Sequence, residues 1–210
     1  MNPATPSRRR GRPPKATAGF NETRASLVRA GLVALTEKGF SATGLDEVLK
    51  VVGVPKGSFY YYFESKEAFG AELIDHYGHY FARKLDRFFA DDGLSPLDRL
   101  KAFMVDAEAA MERFAFSRGC LVGNLGQEMG ALPEAFRQKL SDIFADWQRR
   151  TALCLRAAQA AGEIRNHHDA DHLAAFFWIG WEGAVLRAKL ERNSTPLRTF
   201  AEGFLAMLRT

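Results

Sequence analysis

The side chains best equipped for chemistry in this 210-residue chain are two cysteines, Cys120 and Cys154, and five histidines. Cys120 heads the stretch CLVGNLGQEMGALPEAF, residues 120–136. There Gly123, Gly126 and Gly130 interrupt an otherwise helical pattern, while Asn124, Gln127 and Glu128 set polar groups among apolar ones. A segment of this kind either crosses a neighbour closely or surrounds a bound molecule. The thiol has three readings. It is a redox or electrophile sensor if a nearby cation lowers its pKa, an enzymatic nucleophile if a histidine base stands beside it, or a small apolar core residue, which cysteine statistics favour. No nucleophile signature surrounds it. The histidines fall in two groups, His76/His79 and His167/His168/His172, and in HHDADH the pair His168/His172 with Asp171 makes a weak metal-ligand pattern that equally suits a helix start. No metal and no cofactor is expected, and the cysteines, 34 positions apart, read as reduced thiols rather than a disulfide.

A second constellation lies at residues 40–66, FSATGLDEVLKVVGVPKGSFYYYFESK. Two short helices joined by a glycine-containing turn follow a longer helix, the order of a helix-turn-helix. Thr43, at a helix N-terminus, could hold a phosphate through its hydroxyl and the free N–H groups behind it. In the second short helix Phe59 and Phe63, four apart, anchor one face. Lys56, Gly57, Ser58, Tyr60 and Tyr61 then point outward: small residues permit approach to the bases, and tyrosine hydroxyls reach phosphates or base edges. Three consecutive tyrosines, Tyr60 to Tyr62, cannot all face inward on a helix.

The elements that hold these groups read as helix almost throughout, so the fold class is all-α. Asn21 is a suitable N-cap for a helix over 22–38 closed by Gly39. Thr43 or Gly44 opens LDEVLKVV, closed by Gly53, and Pro55 starts the next helix. Ser65 caps a long helix that runs to the Asp91-Asp92-Gly93 turn. Ser95 with Pro96 begins another. Pro133 starts a helix stopping at Gly162, Asp169 or Ala170 starts a further one, and a last helix covers 196–209. Three regions follow: a disordered basic tail over 1–19, a helix-turn-helix domain over 20–66 and a helical body over 67–210.

Charge separates the tail from the rest. Arg8, Arg9, Arg10, Arg12 and Lys15 give residues 1–15 a charge of +5, leaving −1 for the remainder of a chain whose total is +4. Residues 20–70 hold six basic and six acidic side chains and are neutral. RRRGRPPK cannot bury apolar surface, and its narrow Arg-Gly-Arg-Pro segment suits an A·T-rich minor groove; the alternative is a solvated tail. No apolar run approaches the ~20 residues of a membrane span. The N-terminus lacks an apolar segment after its basic one, so a cytoplasmic protein without membrane contact is expected.

TGLDEVLKVVGVPKGSFYYYFESKEAF resembles the DNA-binding signature of the TetR family of bacterial repressors, through the threonine, the Val-Pro-Lys-Gly-Ser-Phe-Tyr core and the closing Phe-x-x-Lys. That resemblance implies an N-terminal three-helix DNA-binding domain and a C-terminal helical domain for ligand sensing and dimerisation. It also implies operator DNA as partner, a homodimer, and backbone or base contacts by Thr43, Lys56, Tyr60, Tyr61 and Lys66, with Gly57 and Ser58 at the closest approach. RGCLVGNLGQEMGALPEAFR, WQRRTA and FWIGWEGAVLRAKLE are similar to a subgroup of that family that responds to electrophiles, acrylate-responsive regulators most of all and N-ethylmaleimide-responsive ones next. The subgroup implies a sensing cysteine at Cys120 and a lysine near it, Lys189, whose ammonium would lower the thiol's pKa or whose nitrogen would capture an oxidised sulfur.

A noncovalent inducer pocket could coexist with the thiol, walled by Trp178, Trp181 and Glu182, with Tyr77, Tyr80 and Trp147 as further aromatics. Asn124 and Gln127 are its polar candidates, although a helical tryptophan is more often core. Gly180, Gly183, Ala184 and Ala188 form a small-residue strip. By family analogy helices 134–161 and 170–192 make the dimer interface, and intrachain packing is the alternative. The function implied is a repressor that releases its operator on binding an acrylate-like inducer or on modification of Cys120. A purely noncovalent regulator with a structural Cys120 comes second and a cysteine-dependent enzyme third.

Overall fold

The computed structural model describes residues 15–165 and 169–209, and among these the only regular elements are helical. In chain order they are α1 (Lys15–Lys38), α2 (Leu45–Val52), α3 (Phe59–Tyr62, after a 3₁₀ turn over Lys56–Ser58), α4 (Lys66–Phe89), α5 (Pro96–Arg113), α6 (Leu121–Gln127), α7 (Glu134–Ala160), α8 (Ala170–Glu191) and α9 (Thr195–Met207). Arg8, Arg9, Arg10 and Arg12, and with them most of the expected tail, lie outside the described residues, as do His167 and His168.

Most helix ends fall where side-chain chemistry dictates. Gly39 and Gly53 close α1 and α2 with φ of +80° and +73°, a conformation that a side chain disfavours. The Ser65 hydroxyl accepts from the Ala68 N–H at 3.0 Å, Ser95 accepts from Asp98 with Pro96 in the first turn, and Asp169 accepts from the N–H groups of Asp171 and His172. The start of α1 is different from expectation. Asn21 is not its cap: the helix begins at Lys15, so residues 15–19 belong to it and not to the tail. The reason is tertiary. Phe20, inside α1, stacks on Tyr62 at 4.9 Å and meets Tyr61 edge-on at 5.2 Å, which holds this part of α1 against α3.

Leu27, Leu35, Val48, Phe59 and Phe69 bury the interior of the α1–α3 domain, and α4 leads from it into the body. In the body α7 packs on α8 and α4, and α8 on α9. Aromatic rings fill the centre: Phe81, Phe103, Trp147, Phe177, Trp178 and Trp181 contact one another, and Trp178 donates from its indole N–H to the Thr151 hydroxyl at 2.9 Å. After α5, Ala115 and Phe116 both hold positive φ, 48° and 56°, at a cost of about 1 kcal/mol each. Phe116 packs against the core, and this tight reversal delivers Gly119 and Cys120 back to the end of α1.

Candidate functional site

The first constellation is the outer face of α3 and its 3₁₀ turn. Tyr60 and Tyr61 are 68% and 73% exposed while Phe59 and Phe63 are buried, so the expected division of faces holds. Lys56 and Gly57 are exposed and Ser58 is half-buried. Lys56 pairs with Asp46 of α2 at 2.6 Å, and that hydrogen bond raises its pKa. Val51, 74% exposed on the outer side of α2, joins this surface; its type gave no hint of it.

Two expected DNA contacts point elsewhere. Thr43 is buried, and its hydroxyl donates to the Gly39 carbonyl at 2.6 Å; Gly44, not Thr43, is the N-cap of α2. The hydroxyl closes the α1–α2 turn and is not presented to a phosphate. Lys66 donates to the Phe40 carbonyl at 3.1 Å with its ammonium 4.6 Å from the Phe40 ring centre, so it braces the same turn.

The second constellation surrounds Cys120, the N-cap of α6. A cavity of about 350 Å³ opens between α1, α4, α5 and α8, lined by Leu32, Val33 and Thr36 of α1, Tyr77 and Phe81 of α4, Met111 of α5, and Trp181, Glu182 and Val185 of α8. Cys120 is in its wall. The exposed rings of Tyr80 and Phe114 stand at its mouth. On the other side of Cys120 and Glu182 lies a smaller hollow of about 230 Å³, lined also by Asn124, Gln127 and Lys189. Trp178 lines neither, being committed to the core, and Trp147 is likewise interior to it.

Between the two hollows three polar side chains meet. Tyr77, Cys120 and Glu182 are neighbours there, each bearing on the protonation of the next. Glu182 is held close: a Cβ on Gly123 would collide with its Oε2, which accounts for that glycine. Burial pushes Glu182 up to about 7. Burial, and then the charge of Glu182, pushes the Cys120 thiol well above its ordinary range, and burial does the same to Tyr77.

This corrects the expected thiol chemistry. Lys189 does not activate Cys120: its ammonium donates to the Glu37 and Thr36 carbonyls, at 2.5 and 3.3 Å, and the thiol faces an acid. Lys189 itself is lowered by burial. No histidine among the described residues lines either hollow, so the thiol has no imidazole base there. Among the described residues no three His, Cys, Asp or Glu side chains are placed to hold a metal.

What these residues share is the C-terminal end of α1. Asn124 donates to the Leu35 and Thr36 carbonyls, both at 2.9 Å, the Gly119 N–H donates to Thr36 at 3.0 Å, and Arg118 pairs with Glu37 at 3.1 Å. Helix ends leave carbonyls such as that of Thr36 without a helical partner, so the bonds to it satisfy a group that would otherwise need water, while the Leu35 carbonyl also accepts from the Gly39 N–H at 3.1 Å. Glu128 completes the set: its carboxylate accepts from the N–H groups of Phe40 and Ser41 at 3.0 and 2.7 Å, filling the space a Cβ on Gly39 would need. Asn124 is therefore a latch and not a pocket wall alone, and Gln127 is exposed. The acid in QEMG was visible in the sequence, but its partner was not.

The small-residue strip on α8 divides. Gly180 faces the Phe200 ring of α9, and Ala184 and Ala188 are buried within the chain, so these three serve intrachain packing; space is open at Gly183. Around Gly183 runs an exposed apolar stripe, Phe176, Ile179, Leu186 and Leu190, at alternating three- and four-residue spacing once Gly183 is counted. α7 contributes only Leu153 to this class of exposed residue.

Residues 27–73 match the family described as bacterial regulatory proteins, tetR family, and residues 96–204 match the tetracyclin repressor-like C-terminal domain. The chain is 55% identical to the transcriptional regulator AcuR of Cereibacter sphaeroides over 96% of its own length and 92% of that protein's. It is 32% identical to the HTH-type transcriptional repressor NemR of Escherichia coli K12, covering 84% of this chain and 89% of that one. A crystal structure of regulatory protein TetR from Rhodobacter sphaeroides superposes with a TM-score of 0.86 at 57% identity, over 88% of this chain and 97% of that one.

Proposed function

The chain belongs to the TetR family of bacterial transcriptional regulators, and we propose that it is an operator-binding repressor released by a small inducer that enters the cavity beside Cys120. One observation carries this reading. The cavity and the DNA-binding domain share a wall: Leu32, Val33 and Thr36 line the former and belong to α1 of the latter, and the α6 segment is bonded to the same end of α1. A ligand that displaces Cys120 or Gly119 therefore bears on the turn that leads into α2, and differential affinity for the two arrangements is all that induction requires. Tyr60, Tyr61, Lys56, Gly57 and Ser58 read the operator, and Arg8, Arg9, Arg10 and Arg12 add phosphate contacts from the tail. The exposed stripe of α8 is the centre of a homodimer interface, since a helix-turn-helix pair reads two half-sites.

An acrylate-like molecule held noncovalently fits the cavity's apolar walls and polar inner end, and the raised pKa of Cys120 makes this the leading form of induction. Covalent modification of Cys120 is the second reading, favoured by one fact: the sulfur is in the cavity wall together with the Glu182 carboxyl, which could take its proton. Fluorescence anisotropy of labelled promoter DNA, with acrylate, N-ethylmaleimide or hypochlorous acid, separates the two. Wild type, Cys120→Ser and the cavity-filling Ala110→Trp should all bind DNA; acrylate should release wild type and Cys120→Ser but not Ala110→Trp. Release of Ala110→Trp by acrylate would place the inducer elsewhere, and loss of response in Cys120→Ser alone would make the thiol the sensor.

A further inference from the structure

We propose that Phe20, in the first turns of α1, is a positioning residue for operator recognition: its ring fixes the exposed side chain of Tyr61 in the orientation that meets DNA. This goes one step beyond the reading of Tyr61 as an operator contact, and it rests on that reading.

A recognition element as short as α3 cannot hold its own side chains in place. It is a single turn, Phe59–Tyr62, and neither it nor the 3₁₀ turn before it has a side-chain cap. One turn of helix has too few internal bonds to be stable alone, so its geometry is set by what packs on it. On the core side, buried Phe59 and Phe63 meet Phe69 of α4 at 5.5 and 4.5 Å. They fix the backbone of the turn and, through an edge contact of 5.4 Å with Phe59, the ring of Tyr60. Tyr61 is held from another direction. It is 73% exposed, and the rings that touch it among the described residues are Phe20, edge-on at 5.2 Å, and Tyr62, edge-on at 5.4 Å. Tyr62 in turn lies nearly flat against Phe20, with 23° between the planes. Loss of the Phe20 ring therefore removes one neighbour of Tyr61 and takes from the other its stacking partner.

The sequence of α1 puts Phe20 where it can do this without being part of the core. Phe20, Arg24, Leu27, Gly31 and Leu35 recur at three- and four-residue spacing and so share one face of the helix. Leu27 and Leu35 are buried, a Cβ on Gly31 would collide with Phe69 and Leu73 of α4, and Arg24 lies over the Phe63 ring while pairing with Glu72 of α4. Phe20 continues that face about 10 Å beyond Leu27, to the side of α3, and is itself only half-buried. An exposed tyrosine that is free to change rotamer must be ordered when DNA binds, at a cost equal to about two- to tenfold in affinity. Ring contacts already made in the free protein remove that cost, and they leave the hydroxyl clear for a phosphate or a base edge.

A double-mutant cycle of Phe20→Ala and Tyr61→Ala in the full chain tests this, with anisotropy read on labelled promoter DNA and on a shuffled duplex of the same length. Phe20→Ala should weaken promoter binding about two- to tenfold for each half-site held, and Tyr61→Ala at least as much. The shuffled duplex should be bound by Phe20→Ala within about twofold of wild type, because disordered phosphate contacts need no fixed ring. In the Tyr61→Ala background, Phe20→Ala should cost less than about a further twofold. Phe20→Tyr, which keeps the ring, should bind as wild type does, and Phe20→Leu, which keeps only the apolar bulk, should bind as Phe20→Ala does. Additive losses in the cycle, rescue by Phe20→Leu, or an equal loss on the shuffled duplex would each overturn the inference and leave Tyr61 as an operator contact. Wild-type promoter affinity in Tyr61→Ala would instead remove the reading of Tyr61 on which it rests.

Discussion

Glu182 is the residue on which the chemistry of the cavity turns, and its cost to the fold has a definite sign. Its carboxyl titrates at about 7 in the folded chain against an ordinary 4.5. The folded state therefore holds the proton more tightly than the unfolded one. The stability this confers is complete below about pH 4.5 and is lost as pH rises through about 7. A shift of this size corresponds to at most about 3 kcal/mol. Glu182→Gln, which keeps the shape and cannot ionise, should therefore gain on wild type by one to about 3 kcal/mol at about pH 8.5 and much less at about pH 5. Urea denaturation at the two pH values measures the difference; a gain independent of pH would mean that Glu182 ionises without penalty. Thr43 is a second residue whose role follows from a single bond. Its hydroxyl, committed to Gly39, belongs to the same turn that Glu128 and Lys66 hold, so its contribution is to the shape of that turn.

At the scale of elements, the proposed induction runs through the join between α6 and the end of α1. Five bonds meet there from Gly119, Asn124 and Glu128, and those of Glu128 reach furthest toward α2. Glu128→Ala leaves two N–H groups without their carboxylate, at a cost of about 1–2 kcal/mol because Ser41 is exposed and water replaces part of the loss. Operator affinity of the variant without inducer should fall several-fold while inducer affinity is unchanged, read by anisotropy and calorimetry respectively. Unchanged operator affinity would show that the turn holds its shape without α6. The helices themselves were largely legible in the sequence, because Gly39, Gly53, Ser65, Ser95 and Pro96 end or begin them by local chemistry. The division of α3 into buried Phe59 and exposed Tyr60 and Tyr61 was legible for the same reason. What was not legible depends on residues far apart in the chain. Phe20 ties α1 to α3 by stacking on Tyr62, Asn124 and Glu128 bond to residues 87 to 89 positions away, and Lys189 meets the carbonyls of Thr36 and Glu37 at the end of α1. A motif can place a cysteine and a lysine in one neighbourhood, but only the packed chain decides which carbonyl the lysine meets.

For the molecule as a whole, DNA affinity must be assembled from parts that are individually weak. Residues 20–70 are electrically neutral, and Lys56, the exposed cation of the 3₁₀ turn before α3, is already paired with Asp46. Phosphate neutralisation supplies most nonspecific affinity, so the proposed reading makes the four arginines at positions 8, 9, 10 and 12 its main source. The second contribution is the doubling of half-sites by the dimer proposed to form on the α8 stripe, where Ile179 and Leu190 are 73% and 78% exposed in the single chain. The two contributions leave different signatures in a salt titration of operator binding. Removing residues 1–14 should lower both the affinity and the steepness of log K against log salt, by about 0.9 for each arginine that met a phosphate, with the protein still dimeric. Ile179→Glu with Leu190→Glu buries two charges in the interface and should yield a folded monomer by sedimentation, with operator affinity reduced at least about a hundredfold and the salt slope about halved. A tail-deleted protein with the wild-type slope would assign the phosphate contacts to the helix-turn-helix itself. A double variant that still sediments as a dimer would move the interface off α8, and the loss of affinity in each case tells which of the two devices holds the repressor on its operator.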